Sequence, residues 1–144
     1  YSSSGQARIS HVDVRDIAAV AVTALTAPGH EGRIYTLSGP EALTYDEVAE
    51  ELSKGLARDI RHISLPPADL KAGMLGEGMP EAIADRMLDL ERYFREHRAS
   101  CITNDVRRVT GREPGRFAQY VQAMAPTGVW NPVPISSAAS GARA

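Results

Sequence analysis

His11 and Asp13, two residues apart, could supply two metal ligands, or an imidazole base held by a carboxylate. His30, His62 and His97 stand apart from them, and a metal site wants three or four donors. No metal ligand is therefore assigned, and the spacing predicts a histidine at a strand end beside a helix cap. Of the four histidines His11 is still the best placed for a site, because strand C-terminal ends in open α/β sheets face the ligand crevice. Gly73, Gly76 and Gly78 resemble a phosphate loop, but such a loop must leave a strand and open a helix. Here the glycines follow a helical stretch and precede Met79 and Pro80, so they read as a hinge between helices, and no cofactor-binding residue is assigned. A lysine four residues after a tyrosine would lower the tyrosine pKa for acid catalysis. The positions four after Tyr35, Tyr45, Tyr93 and Tyr120 hold Gly39, Ala49, His97 and Met124. Cys101 has no neighbouring base and reads as inert. No catalytic residue is assigned.

The elements that would position these groups follow from periodicity and punctuation. Arg8–Val12 reads as a strand running into a helix capped by Asp13, with Asp16 near its positive end and Ile17, Val20, Ala21, Ala24 and Leu25 at helical spacing. Pro28 and Gly29 end that helix, and Arg33–Ser38 is a second expected strand. Thr44 and Glu47 form a capping box that opens a helix with Val48, Ala49, Leu52 and Leu56 on one face. Ile60–Leu65 alternates and stops at two prolines, a third expected strand. Helices follow near Ala68–Leu75 and from Pro80 to about His97, the latter with Ile83, Met87, Leu90 and Phe94 as its buried stripe. Asn104 caps a short helix that Gly111 stops, and a last helix spans Arg116–Met124. Asn104–Met124 imitates a helix-turn-helix, but its aromatic stripe is taken up by core, and it reads as a structural hairpin. From Pro126 to Ala144 the tail has no periodicity and is expected to be disordered.

A length of 144 residues with 43% hydrophobic and 24% charged composition suits one domain with a core of its own. A net charge of −2, with its arginines scattered, excludes an electrostatic footprint for nucleic acid or an anionic membrane. A single cysteine excludes an intrachain disulfide and suits a reducing cytoplasm. No apolar run approaches a membrane span, and the first residues lack the regions of a signal peptide. With no initial Met, the chain is expected to start inside a longer protein or after processing. Three short strands are a small sheet for so many amphipathic helices, which favours their belonging to a larger one.

Ile9–Ala18, Gly32–Pro40 and Leu43–Glu47, followed by Thr103–Arg112 and Phe117–Tyr120, resemble in order and spacing the C-terminal half of NmrA-like short-chain dehydrogenase/reductases, over about residues 7–125. The resemblance implies an α/β fold: the C-terminal portion of a Rossmann-type protein, with few short parallel strands and a predominantly helical substrate-side lobe over residues 1–125. It further implies that Ile34–Ser38 is a strand of the main sheet, that Ser10–Val12 and Arg61–Leu65 pair, and that Pro66–His97 cover the substrate crevice. NADP or NAD would bind the intact parent through an N-terminal Rossmann half whose glycine loop has no counterpart here, so no cofactor is expected to bind this chain alone. The expected function is the substrate side of an NAD(P)H-dependent oxidoreductase acting on a small carbonyl or quinone-like compound, with His11, Met74 and Met79 lining the pocket. The alternative is a dinucleotide-sensing regulator or scaffold that binds a protein partner and catalyses nothing.

Overall fold

The computed structural model describes residues 1–131. Six helices carry the architecture, and local chemistry explains where they begin. Helix α1 (Val14–Thr26) starts where the Asp13 carboxylate accepts the Arg15 N–H. Helix α2 (Tyr45–Leu56) starts at the expected reciprocal box, with the Glu47 N–H donating to Thr44 Oγ1 at 3.1 Å and the Thr44 N–H to Glu47 Oε2 at 2.8 Å. Helices α3 (Pro67–Gly76) and α4 (Glu81–Arg95) begin just after prolines, which need no N–H partner there. Gly78, at φ +85°, makes the turn between them, whereas Gly73 and Gly76 lie within α3, so only one of the three glycines stands in the expected hinge. Helix α5 (Asp105–Thr110) ends at left-handed Gly111, while Asn104 caps it without a side-chain hydrogen bond. Helix α6 (Phe117–Met124) runs into a single 3-10 turn, Ala125–Thr127.

The helices pack in three pairs, α1 with α5, α2 with α6 and α3 with α4. Each pairing buries one apolar residue from each helix: Val20 and Val106, Ala49 and Val121, Leu70 and Ala84. The expected hairpin of α5 on α6 is thus replaced by separate docking of each on an earlier helix. Gly55 lets α2 approach α6, since a Cβ there would lie 2.3 Å from Val121 Cγ1. Gly73 in α3 faces open space. Gly55→Ala is therefore expected to lose roughly 1 kcal/mol net, overpacking outweighing helix propensity. Gly73→Ala is expected to gain about 0.5–1 kcal/mol from propensity alone. Urea midpoints that moved in the same direction for both would sink the assignment of Gly55 to that interface.

The strands differ from expectation. Strand β1 (Ile9–Ser10) pairs antiparallel with β2 (Ala42–Leu43), with Ile9 opposite Leu43, and not with Arg61–Leu65. The only parallel pairing among the described residues is the isolated bridge between Ser2 and Ser64. The Ser53 hydroxyl both accepts the Ile60 N–H and donates to the Ile60 carbonyl, which diverts the start of the expected third strand. Arg33–Ser38 lies in no ladder among the described residues: the Thr36 N–H donates to Asp105 Oδ2, and its carbonyl accepts from Thr103 Oγ1. A strand is defined by a partner strand, and none lies beside this segment among the described residues.

Two helix faces are also turned from where periodicity set them. On α4 the buried residue is Ala84, with Leu88, Glu91 and Arg95 half-buried, whereas of the expected stripe Ile83, Met87 and Leu90 are exposed and only Phe94 is half-buried. One residue of rotation is about 100° on a helix. The N-terminal segment supplies the cause: the Ser3 N–H donates to Glu91 Oε2 and Arg95 donates to the Ser3 carbonyl, so two charged positions of α4 face inward. On α1, Asp16 and Val20 are buried while Ile17 and Leu25 are exposed. Of the expected tail, Trp130 packs edge-on to Tyr120, and its carbonyl accepts from Arg58. The rest of that tail lies outside the described residues. Among the described residues no helix is long and apolar enough to cross a membrane.

Candidate functional site around His11

His11 follows β1 directly, and only Val12 and Asp13 separate it from α1, so its backbone is fixed from both sides. A third constraint comes from Gly39, where a Cβ would stand 2.0 Å from the His11 carbonyl oxygen. Its ring is half-buried, 5.7 Å from the Phe117 ring and 6.5 Å from that of Tyr45. His11 Nε2 is buried and has no hydrogen-bond partner among the described residues. Burial lowers the His11 pKa below its ordinary 6.5, so the imidazole is neutral at pH 7. A buried, unpaired ring nitrogen is a costly feature in a folded protein and calls for a reason.

The ring lines a cavity of about 230 Å³ together with Val12, Asp13, Val14, Gly115, Arg116, Phe117 and Tyr120. Asp13 is not the base partner its spacing suggested. It is committed to capping α1 and to Arg15, which lies 2.6 Å away, and the Arg15 hydrogen bond holds its pKa below the usual carboxylate value. Asp16 does what sequence reasoning missed: buried in α1, it accepts the Gly115 N–H at 2.7 Å and so ties the far wall, Gly115–Phe117, to the near one. Its place in the first helical turn was legible, but its partner, 99 residues away, was not.

Two further residues escaped the sequence reading. Tyr45, at the start of α2, places its ring between those of His11 and His62, 5.5 Å from the latter. Burial, with the Glu91 charge adding to it, raises the Tyr45 pKa and keeps the phenol protonated. His62 joins Ser2 Oγ at 2.7 Å to Asp46 Oδ1 at 2.8 Å. Ser2 is buried and Asp46 exposed, so this chain of contacts ties the N-terminal segment to α2. Rings from four separate stretches of sequence thus form one row: His62, Tyr45, His11, Phe117, Tyr120 and Trp130.

The other two expected lining residues lie elsewhere. Met74 lines a separate cavity of about 270 Å³ with Tyr1, Leu65, Asp69, Leu70, Gly73 and Glu77, which shares no residue with the His11 cavity. The Met79 N–H donates to the Met74 carbonyl at 3.0 Å, but Met79 lines neither cavity. The two methionines are thus joined at the end of α3, and His11 is not brought to them. Cys101 is exposed, and no group of three or more His, Cys, Asp or Glu suited to a metal ion exists among the described residues.

No family model matches the chain. In sequence it is 41% identical over 125 residues to an NAD(P)H azoreductase of Xenophilus azovorans, covering 87% of this chain and 44% of that protein. It is 37% identical over 121 residues to an agroclavine dehydrogenase of Claviceps fusiformis, covering 84% of this chain and 42% of that one. In structure it is similar to an NADPH-dependent quinone oxidoreductase of Escherichia coli solved with NADPH, with a TM-score of 0.76 at 25% identity, covering 85% of this chain and 44% of that one. The chain spans a little under half the length of these relatives. By fold and by sequence its relatives are the NAD(P)-binding reductases, and its architecture is that of the C-terminal part of their Rossmann-type fold.

Proposed function

We propose that the whole protein is an NmrA-like, NAD(P)H-dependent oxidoreductase of small carbonyl or quinone-like compounds, in which this chain supplies the substrate-side wall around His11. The observation that carries this reading is the buried, unpartnered His11 Nε2 in a residue that lines a cavity together with Phe117 and Tyr120. A neutral imidazole N–H can donate to a carbonyl oxygen without bringing a charge into an apolar pocket, and the donor is worth most as negative charge grows on that oxygen. The rings suit a planar substrate by offset stacking. The nicotinamide, when bound, supplies the hydride; this chain's residues orient the acceptor, shield it from water and hold a hydrogen bond on its oxygen. The similarity to an azoreductase and to a quinone oxidoreductase supports the substrate class.

Met74 stays in this proposal through the separate cavity that it lines beside α3, with Met79 joined to it by a backbone hydrogen bond. The test is nicotinamide oxidation by the full-length protein across a panel of carbonyls and quinones. No turnover with any of them, in a protein that binds NADPH tightly, would replace this reading with the non-catalytic dinucleotide sensor. For the chain alone, calorimetric titration with NADPH and NADH is expected to give no saturable binding, since a dinucleotide needs a glycine turn at a helix N-terminus after a strand. The glycines of its cluster lie inside α3, at Gly73 and Gly76, or in the turn that follows it, at Gly78, instead. Low-micromolar 1:1 binding would show that the nucleotide site had been misplaced.

A further inference from the structure

Helices α3 and α4 are fastened to the rest of the chain differently from the other four. They pack on each other, burying Leu70 and Ala84, and neither packs to a comparable extent on α1, α2, α5 or α6. The other two helix pairs are stitched together. Asp16 of α1 accepts the Gly115 N–H just before α6, and β1, which leads to α1, pairs with β2, which leads to α2. Among the described residues, every side-chain hydrogen bond and ion pair that leaves residues 66–95 ends on one residue, Ser3. The ion pairs of Lys71 with Glu81 and Asp85 stay inside the hairpin and tie α3 to α4.

Ser3 is buried and clamped from two sides. Glu91 Oε2 accepts its N–H at 3.0 Å, and Arg95 Nη1 donates to its carbonyl at 2.7 Å and to its hydroxyl at 3.0 Å. Glu91 and Arg95 stand four residues apart on one face of α4, so the clamp engages and releases as a unit. Hydrogen bonds to charged groups are the strong ones, which lets a single residue hold two helices. The two ends of the hairpin carry the backbone features of a hinge. Leu65, whose N–H donates to the Ser2 carbonyl, is the last residue tied down before Pro66. His97, exposed and left-handed at φ +56°, follows α4 almost at once. Beneath α3 lies the cavity of about 270 Å³ lined by Tyr1, Leu65, Leu70 and Met74.

We propose that α3 and α4 move as one lid, latched by Glu91 and Arg95 on Ser3, and that lifting it opens the Met74 cavity to a small ligand. A hairpin whose helices hide their apolar residues in each other leaves the body without tearing a shared core, so it opens below the free energy of global unfolding. Lids that admit and enclose ligands are drawn from such separately cooperative parts. The motion stands on the packing and the latch alone. That the ligand is the substrate of a reductase rests on the functional reading above.

Hydrogen exchange read at single amides of the full-length protein tests this. The amides of α3 and α4 are expected to exchange as one set, at least tenfold faster than the set formed by α2 and α6. Arg95→Met keeps the apolar stem and removes both hydrogen bonds on Ser3. It is expected to quicken the α3–α4 set at least tenfold further and to leave α2 and α6 unchanged. Glu91→Gln, which keeps an acceptor for the Ser3 N–H, should quicken it less. The second readout is thiol labelling of Met74→Cys in a Cys101→Ser background, whose rate should rise with Arg95→Met by the same factor. One exchange set spanning all four helices, or an Arg95→Met effect shared equally by α2 and α6, would overturn the lid. Labelling of Met74→Cys that ignored the latch would overturn the access. If Arg95→Met fails to fold, the two exchange sets of the wild type decide alone. These readouts need neither substrate nor turnover, so a protein whose lid opens but that reduces nothing sinks the activity and leaves the lid standing.

Discussion

Replacing Gly39 with alanine is expected to cost the chain about 3 kcal/mol, the upper end of what overpacking does. The added methyl would stand 2.0 Å from the His11 carbonyl oxygen, a backbone atom that no rotamer change can move aside. Relief requires parting the Gly39 strip from β1, yet both are held. Ser38 Oγ accepts the Thr103 N–H at 2.8 Å on one side, and Ser10 donates its N–H to the Ala99 carbonyl at 2.8 Å on the other. The β1–β2 pairing is only two residues long, so little else maintains its register. For a domain whose whole stability is on the order of 5–15 kcal/mol, this is a large share. Chemical denaturation of wild type and Gly39→Ala would measure it, with near-UV dichroism reporting the displaced aromatic row. A midpoint unchanged within about 0.5 kcal/mol would mean that the two strips do not cross as described.

What could be read from the chain beforehand divides along the range of the forces involved. Helix starts were legible because capping acts over three residues: Asp13 on Arg15, and Thr44 with Glu47, depend on nothing distant. Helix faces were less so. Periodicity finds an apolar stripe but not which of two will be covered, and α1 and α4 both carry more apolar surface than their partners here hide. Strands fared worst, since β-propensity is a statement about neighbours. Arg33–Ser38 has the composition of a strand and no partner strand among the described residues, while Ala42–Leu43 has little propensity and pairs because β1 lies opposite. The site shows the same split. His11 was singled out by its place at a strand end, a local feature. Tyr45, Phe117 and Tyr120 join it from positions 34, 106 and 109 residues later, which no spacing rule anticipates.

The largest effect on activity is expected at His11 itself. In the full-length protein His11→Phe should lower kcat/KM for a quinone-like substrate by about 10–100-fold, the value of one well-placed donor to a developing oxyanion. Phenylalanine keeps a ring against Phe117 and Tyr45, so the loss isolates the nitrogen. Most of it should fall on kcat, because the hydrogen bond strengthens as charge grows on the oxygen, and His11→Gln, which retains an N–H donor, should recover part of it. A structural role makes a different forecast. Because burial holds the folded His11 pKa below 6.5, the unfolded chain takes up the proton first as pH falls. His11's contribution to stability is therefore complete above about pH 6.5 and is lost progressively below it, and His11→Phe should remove that sensitivity without lowering stability at pH 8. If His11→Phe left kcat/KM within twofold while flattening the pH dependence of stability, the ring would be a tolerated core residue. The buried nitrogen would then need another explanation than a substrate oxygen.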